Sequence, residues 1–163
     1  MIDERTFMEE VERAERTLYR VSRSLLSSDA DCRDAVQEAL LKAWQRRDSL
    51  REAAYFRTWL VRILINECRM LRRRNRRVTP VEVLPEREAP PPDEALRDAL
   101  EALDERWRLP LVLHYLEGFR VEEVAKLLGI PSGTVKWRLS RARAALRAEW
   151  MEDEGEVREH AAR

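Results

Sequence analysis

The stretch from Phe119 to Leu146, FRVEEVAKLLGIPSGTVKWRLSRARAAL, constrains the fold most, because it predicts two short helices joined by a tight turn. Apolar residues recur at helical spacing from Val121 to Leu128 and give the first helix one buried face. Gly129 follows at once, where a left-handed C-cap favours a residue without a Cβ atom. Ser132 can cap the second helix with its hydroxyl. The pattern predicts a helix-turn-helix.

The second helix of this pair has two kinds of face. Its predicted buried stripe consists of Val135, Leu139, Ala142 and Leu146. The other positions carry hydroxyl, cationic and indole groups, which suit the phosphates and base edges of a major groove. These candidate DNA contacts are Ser132, Thr134, Lys136, Trp137, Arg138, Ser140, Arg141 and Arg143. From the residues alone, an αα-hairpin with solvated charges is the alternative.

Composition limits the class of protein. The 163 residues include 31 basic and 31 acidic side chains, whereas a free-standing DNA-binding protein is often basic overall. The basic residues are clustered, which fits weak DNA binding that a partner protein assists. Few glycines, strong helix formers and no alternating apolar–polar runs predict an all-α fold. We find no apolar run of membrane-spanning length and no signal peptide, and expect a cytoplasmic protein without membrane insertion.

Two helices are predicted near the N-terminus, from about Thr6 to Leu26 and from about Ala30 to Arg46. The second has an acidic, amide and leucine stripe on one face, made of Asp34, Gln37, Glu38 and Leu41. Such a stripe suits a partner protein, with polar groups for orientation and one apolar anchor. From periodicity alone, an ordinary exposed helix face is the simpler interpretation.

A third helix is predicted from Tyr55 to Arg77, with an apolar core face that includes Met70, followed by a run of arginines. Crowded cations are favourable beside a polyanion, where each neutralised phosphate releases counterions. At its start, aromatic and basic residues interleave, which suits single-stranded DNA because bases stack on rings. We assign Trp59 to the hydrophobic core and assign a nucleic-acid contact to Tyr55, Phe56, Arg57, Arg62, Arg69, Arg72 and Arg73. The alternatives are a solvated charge run and, less well supported, acidic lipids.

Residues 78–92, VTPVEVLPEREAPPP, include five prolines and predict a semi-rigid linker. The chain therefore divides into two small helical domains, at residues 1–77 and 93–150, and a charged tail at 151–163. We expect Asp93 to cap the helix after the linker and the tail to fray.

Nothing in the sequence resembles a catalytic centre. The two histidines, His114 and His160, lie apart, and no phosphate-binding loop, nucleophile elbow or metal-spaced cluster occurs. Cys32 and Cys68 are widely separated within helical patterns, and we interpret them as small core thiols in a reducing compartment. We therefore predict no enzymatic activity, no cofactor and no metal.

Several segments resemble one family when they are taken in order. DAVQEALLKAW, YFRTWLVRILINECRMLRRR and GTVKWRLSRARAAL are similar to regions 2 and 4 of bacterial sigma factors of the extracytoplasmic-function (ECF) type, in the sigma-70 family. The resemblance covers the chain from about Thr6 to Trp150. It implies a transcription initiation factor, in a stress response, that joins core RNA polymerase and selects promoters.

The resemblance also implies roles for individual residues. Asp34, Gln37, Glu38 and Leu41 would dock on the coiled coil of the large polymerase subunit, and the flap of core polymerase would be a further contact. Phe56 would lie near a pocket for a flipped base of the melted −10 element, and Asn66 matches the asparagine of the helix that reads it. The helix from Ser132 would read the −35 element as duplex. A cognate anti-sigma factor is implied as a further partner.

One position departs from the family pattern, and two other functions remain open. Met70 stands where many members have an aspartate one turn after the asparagine, which leaves the −10 preference open. A dimeric repressor or response regulator would explain the helix-turn-helix but not the aromatic and arginine segment. A helical adaptor that binds only proteins would leave the basic stretches as solvated charge.

Overall fold

The computed structural model describes the backbone of residues 2–76 and 92–161, and the side chains of residues 2–76 and 96–148. Every regular element within those ranges is helical, which confirms the predicted all-α fold. The α-helices are α1 (Glu4–Leu25), α2 (Asp29–Gln45), α3 (Phe56–Arg76), α4 (Pro92–Ala102), α5 (Glu105–Leu111), α6 (Val121–Leu128) and α7 (Ser132–Ala161). The chain divides into two compact units, Met1–Val83 and Leu84–Arg163.

The first unit is a bundle of α1, α2 and α3, in which each helix packs on the other two. Asp3 caps α1 by accepting a hydrogen bond from the Thr6 amide at 2.7 Å, and Ser28 caps α2 through the Asp31 amide at 3.1 Å. The buried face of α2 is built mainly from small residues, Ala35, Ala39, Ala43 and Cys32. Larger buried side chains come from α1 and α3, which include Leu18, Val21, Leu60, Leu64 and Ile65.

Two short 3₁₀ turns, Arg47–Ser49 and Ala53–Tyr55, connect α2 to α3. Both cysteines are buried, unpaired thiols in this unit, as predicted for small core residues. Burial raises the pKa of the Cys68 thiol to about 12 from an ordinary 9.0, because the thiolate would lose its hydration.

The second unit is built around α7, which packs against α5 and α6. Between α5 and α6 lies a π-helical turn, Val112–Leu116, closed by a hydrogen bond from the Glu117 amide to the Val112 carbonyl at 3.0 Å. The predicted apolar stripe of α7 is largely confirmed, since Val135, Leu139 and Ala142 are buried.

Several sequence-based boundaries differ from the structure. Helix α4 begins at Pro92, so Asp93 lies within its first turn and is not the cap; proline suits the first turn because its missing N–H has no helical partner there. A separate helix, α5, follows, capped by Asp104 through the Arg106 amide at 3.0 Å. Residues 77–91, and with them most of the predicted linker, lie outside the described residues.

The expected fraying of the tail is not seen, because α7 continues as one helix to Ala161. Helices whose ends carry strong helix formers can extend well beyond their packed part. None of the helices in the described part of the chain has the length and apolar character needed to cross a membrane.

Candidate nucleic-acid and protein interfaces

The predicted partner stripe of α2 faces an open groove between α2 and α3, which we call the α2–α3 groove. Its volume is about 810 Å³, and its lining includes all four predicted residues, Asp34, Gln37, Glu38 and Leu41. Two apolar side chains of this groove are exposed, Leu41 at 51% on α2 and Met70 at 54% on α3. An acidic and amide helix face with apolar groups beside it can orient and anchor a partner helix.

An ion pair closes the floor of the α2–α3 groove. The Lys42 ammonium donates to both carboxylate oxygens of the buried Glu67 at 2.8 Å. This hydrogen bonding raises the pKa of Lys42 above its ordinary value. Glu38 lies 3.5 Å from the same ammonium. The sequence analysis missed this pair, because the two residues lie 25 positions apart on different helices and no local pattern joins them.

The outer face of α3 carries a stripe at spacings of three and four, Arg62, Asn66, Arg69, Met70 and Arg73. Arg62, Asn66, Met70 and Arg73 are exposed, and Arg69 is half-buried. Met70 was predicted as part of the core face of this helix, and that prediction is wrong. Arg73 and Met70 also line the α2–α3 groove, so the residues predicted for DNA and for the partner protein meet at this edge.

Two of the remaining predicted −10 contacts are only half-exposed, and one of them is hydrogen-bonded within the bundle. The Arg57 guanidinium donates to the Thr17 hydroxyl at 3.1 Å, which fixes the start of α3 against α1. Arg72 is half-buried. The guanidinium groups of these two arginines are therefore less accessible to a phosphate than those of Arg62 and Arg73.

Phe56, which we assigned to a nucleic-acid contact, is buried in the bundle. Its side chain is 0% exposed and packs edge-on against Phe7, with ring centroids 5.3 Å apart, and against Trp59 at 5.9 Å. Trp59, which we had assigned to the core, is only half-buried, whereas Tyr55 is 59% exposed. The first turn of α3 points Phe56 inward, so the rings available to an unstacked base are Tyr55 and part of Trp59.

The helix-turn-helix has the predicted turn. Gly129 adopts φ = 66°, the left-handed conformation, and its amide donates to the Ala125 carbonyl. The Ile130 amide also donates to that carbonyl, at 3.1 Å. At the start of α6, the Arg120 amide donates to the Glu123 carboxylate at 2.8 Å.

Ser132 is not the cap of α7. The Val135 amide donates to the Pro131 carbonyl at 3.2 Å, so the cap position belongs to Pro131, and Ser132 is the first helical residue. The serine hydroxyl and the Thr134 hydroxyl still lie in the first turn of the helix.

Beyond this turn, α7 presents the predicted polar and cationic surface. Lys136, Trp137, Ser140, Arg141 and Arg143 are exposed, and Thr134 and Arg138 are half-buried. The Trp137 ring packs on Trp107 of α5, with centroids 5.2 Å apart, and the Arg141 guanidinium lies 5.6 Å from the Trp137 ring. These contacts hold large side chains of α7 in defined positions on the surface.

Sequence reasoning missed the side chains of α5 and the π turn that touch α7. Trp107 packs on Trp137, and the Arg143 guanidinium donates a hydrogen bond to the Tyr115 hydroxyl. An aromatic residue ahead of the helix-turn-helix predicts such a contact only weakly, because Tyr115 and Arg143 lie 28 positions apart in the sequence. No cluster of histidine, cysteine and carboxylate side chains suited to a metal ion occurs within the described residues.

Comparison with known proteins identifies both units. The sigma-70 region 2 family model matches residues 11–78, and the sigma-70 region 4 family model matches residues 93–146. Over 140 residues the chain is 34% identical to the ECF RNA polymerase sigma factor SigM of Mycobacterium tuberculosis, covering 82% of this chain and 71% of that protein. Over 153 residues it is 33% identical to the RNA polymerase sigma-E factor of Streptomyces coelicolor, covering 88% of this chain and 85% of the relative.

A solved structure shows the same relationship. The sigma factor RpoE of Bartonella quintana, in complex with the anti-sigma factor NepR, matches with a TM-score of 0.73 and 30% identity over 87% of this chain and 94% of that chain. The two family matches occur in the expected order, and the relatives align along most of the chain. Both findings agree with the helix-turn-helix and the arginine-rich α3. The chain is an ECF-type RNA polymerase sigma factor of the sigma-70 family, which acts in transcription initiation and is not an enzyme.

Proposed function

We propose that this sigma factor recognises the −35 promoter element as duplex through α7 and captures the melted −10 strand along the outer face of α3. It docks on core RNA polymerase through the α2–α3 groove, and it acts in the bacterial cytoplasm. The observation that carries the proposal is the division of α7 into a buried stripe of Val135, Leu139 and Ala142 and an exposed surface of cations and hydroxyls.

The −35 element is read by the first turns of α7. A recognition helix meets base edges with the side chains near its N-terminus, and the exposed groups there are Lys136, Trp137, Ser140 and Arg141. Arginine pairs with the two acceptors of guanine, and such a contact discriminates by about 1–3 kcal/mol. Arg143, further along the helix, contacts a phosphate.

The −10 strand is captured where Tyr55 and Trp59 adjoin the stripe of Arg62, Asn66, Arg69 and Arg73. Unstacked bases can lie on the exposed Tyr55 ring while the arginines neutralise phosphates. The Asn66 amide, exposed in the middle of the stripe, can pair with a base edge. Met70 supplies an apolar contact here instead of a carboxylate, which lowers repulsion of the DNA backbone.

The docking face for core polymerase is the α2–α3 groove. Asp34, Gln37 and Glu38 give it acceptors and donors, and Leu41 gives it an apolar anchor. The proposed partner is a coiled coil of the large subunit, and complementary basic and apolar groups on one of its helices would suit this face; the flap of core polymerase is a further proposed contact. Since RpoE of Bartonella quintana is bound by an anti-sigma factor, we expect a cognate anti-sigma factor to bind this chain as well.

The test is run-off transcription and promoter-library binding with and without core bacterial RNA polymerase. We expect specific binding and transcripts only when core polymerase is present. Arg141→Ala should lower −35-dependent transcription about tenfold, while Arg97→Ala, on α4 in the same unit, serves as the matched control. Tight specific binding without core would instead identify a repressor.

The docking face has a separate test. Asp34→Ala combined with Gln37→Ala should weaken the pull-down of core polymerase, while DNA contacts of α7 are unchanged. Arg5→Ala, an exposed residue of α1 paired with Glu9 at 3.1 Å, is the control. If the double variant pulls down as much core polymerase as the unaltered protein, the α2–α3 groove is excluded as the docking site.

A further inference from the structure

A π turn, Val112–Leu116, precedes the helix-turn-helix. The Glu117 amide donates to the Val112 carbonyl, five residues back, and the Phe119 amide donates to the Leu113 carbonyl, both at 3.0 Å. Such turns are rare and occur frequently at functional sites. One extra residue in a turn rotates the side chains that follow by about 100° relative to a regular helix.

Tyr115 lies within this turn. Its ring lies edge-on to His114, with centroids 4.8 Å apart and planes at 73°. His114 is fixed in turn, because its Nδ1 lies 2.7 Å from the Phe119 carbonyl oxygen, which can only accept, so Nδ1 carries the donating hydrogen. Tyr115 is 50% exposed and is held by the backbone of the π turn and by this neighbour.

Tyr115 contacts one cation of the recognition helix. The Arg143 guanidinium donates a hydrogen bond to the Tyr115 hydroxyl, and its central carbon lies 5.9 Å from the centre of the Tyr115 ring. Among residues whose side chains the structure describes, no carboxylate forms an ion pair with Arg143. A neutral phenol orients the guanidinium without neutralising its charge. Four of the five N–H donors of the guanidinium then remain available for a phosphate.

Another arginine of this unit shows the contrast. Arg108 donates to the carbonyl oxygens of Glu101 and Leu103, both at 3.0 Å, and thereby joins α4 to α5. Its hydrogen bonds are directed inward and hold the fold together. Arg143 is exposed, and its contact comes from a side chain on the neighbouring π turn.

We propose that Tyr115 is a positioning residue, which holds Arg143 in the orientation that binds a phosphate of the −35 duplex. The inference rests on the proposed −35 role of α7 and adds a residue outside the helix-turn-helix to it. A long, flexible arginine loses conformational entropy when it binds, and a contact that orders it beforehand reduces that loss. Tyr115 therefore acts on affinity through Arg143 and does not itself touch DNA.

The experiment measures binding of the full-length protein, assembled with core polymerase, to a promoter duplex over a series of salt concentrations. We compare Tyr115→Phe, Arg143→Ala, the double variant and Tyr19→Phe, which removes a tyrosine hydroxyl from the first unit as a matched control. Tyr115→Phe should weaken binding about threefold to tenfold, as loss of one hydrogen bond does. Its salt dependence should equal that of the unaltered protein, because the cation remains.

Arg143→Ala should weaken binding and also reduce the slope of log affinity against log salt by about one. In that background Tyr115→Phe should have no further effect. If Arg143→Ala weakens binding but Tyr115→Phe does not, or if Tyr115→Phe weakens it equally in both backgrounds, the positioning role is overturned while the proposed −35 role stands. If Arg143→Ala leaves affinity and slope unchanged, the phosphate contact of Arg143 is wrong, and the positioning role fails with it.

Discussion

The Lys42 ammonium donates to both carboxylate oxygens of Glu67 at 2.8 Å, which ties α2 to α3 across 25 positions of sequence. The carboxylate is buried, whereas the lysine side chain is about one quarter exposed, at 26%. Because the buried Glu67 carboxylate accepts two hydrogen bonds from this ammonium, the pair supports the helix arrangement that forms the α2–α3 groove.

Lys42→Met should destabilise the protein by about 1–3 kcal/mol, because a buried carboxylate loses its donor. Glu38→Gln, which removes the more exposed partner of the same lysine, should change stability by less than about 0.5 kcal/mol. Urea unfolding of each variant measures the difference. The double variant Lys42→Met with Glu67→Leu should recover part of the loss, since an apolar pair needs no compensation. Equal losses for Lys42→Met and Glu38→Gln would contradict the structural role of the pair.

Phe56→Ala should destabilise the fold by about 3–5 kcal/mol, because it empties a fully buried site between Phe7 and Trp59. Tyr55→Ala, one residue earlier and exposed, should change stability by less than about 0.5 kcal/mol. It should nevertheless reduce promoter opening, measured by permanganate reactivity of melted thymines. Opening that is unaffected by Tyr55→Ala would exclude this ring from the −10 strand.

The stability of the protein should fall as pH rises from about 9 to about 12, partly because of Cys68. Burial raises the pKa of this thiol to about 12, so the folded state keeps a proton that the unfolded state releases above 9.0. Since the unfolded state then binds fewer protons, the free energy of unfolding decreases by up to about 1.4 kcal/mol per pH unit. Cys68→Ala should unfold at lower urea near pH 7 but with a flatter dependence on pH. Parallel pH profiles for the two proteins would show that this thiol does not titrate differently on unfolding.

Gly129→Ala and Gly133→Ala form a matched pair in the helix-turn-helix. A Cβ atom at either position would meet nothing within 4 Å, so only the backbone conformation distinguishes them. Gly129 has φ = 66°, and alanine there should cost about 1–2 kcal/mol. Gly133 lies in the first turn of α7, where alanine should stabilise by about 0.5–1 kcal/mol. Thermal unfolding distinguishes the two, and a stabilised Gly129→Ala protein would contradict the left-handed cap.

Local patterns predicted most of the helices. The bounds of α1, α2 and α3 lie within two residues of those expected from periodicity, and the left-handed turn at Gly129 followed from the apolar run that precedes it. These features depend on residues only a few positions apart, so the spacing of residues in the sequence is sufficient to predict them.

Contacts between distant residues account for the errors. Periodicity placed Phe56, Trp59 and Met70 on approximate faces of α3, but the partner that selects Phe56 for the interior is Phe7, on another helix. The π turn is defined by backbone amides that donate to carbonyls five and six residues earlier. The spacing of apolar residues does not predict such hydrogen bonds. The residues expected to touch DNA and polymerase were predicted from their chemistry and from the family resemblance, whereas the contacts of Glu67 and Tyr115 become visible only when the helices are packed.

The length of α7 separates opposite charges along one axis. Residues 132–148 contain five basic and no acidic side chains, whereas residues 149–161 contain six acidic and one basic. Thirty residues of helix extend about 45 Å, several times the distance over which physiological salt screens a charge. We expect the field of a DNA duplex to exert a torque on such a helix, turning its N-terminal end toward the phosphates and its C-terminal end away. A zero net charge would then still allow this helix to be oriented during approach.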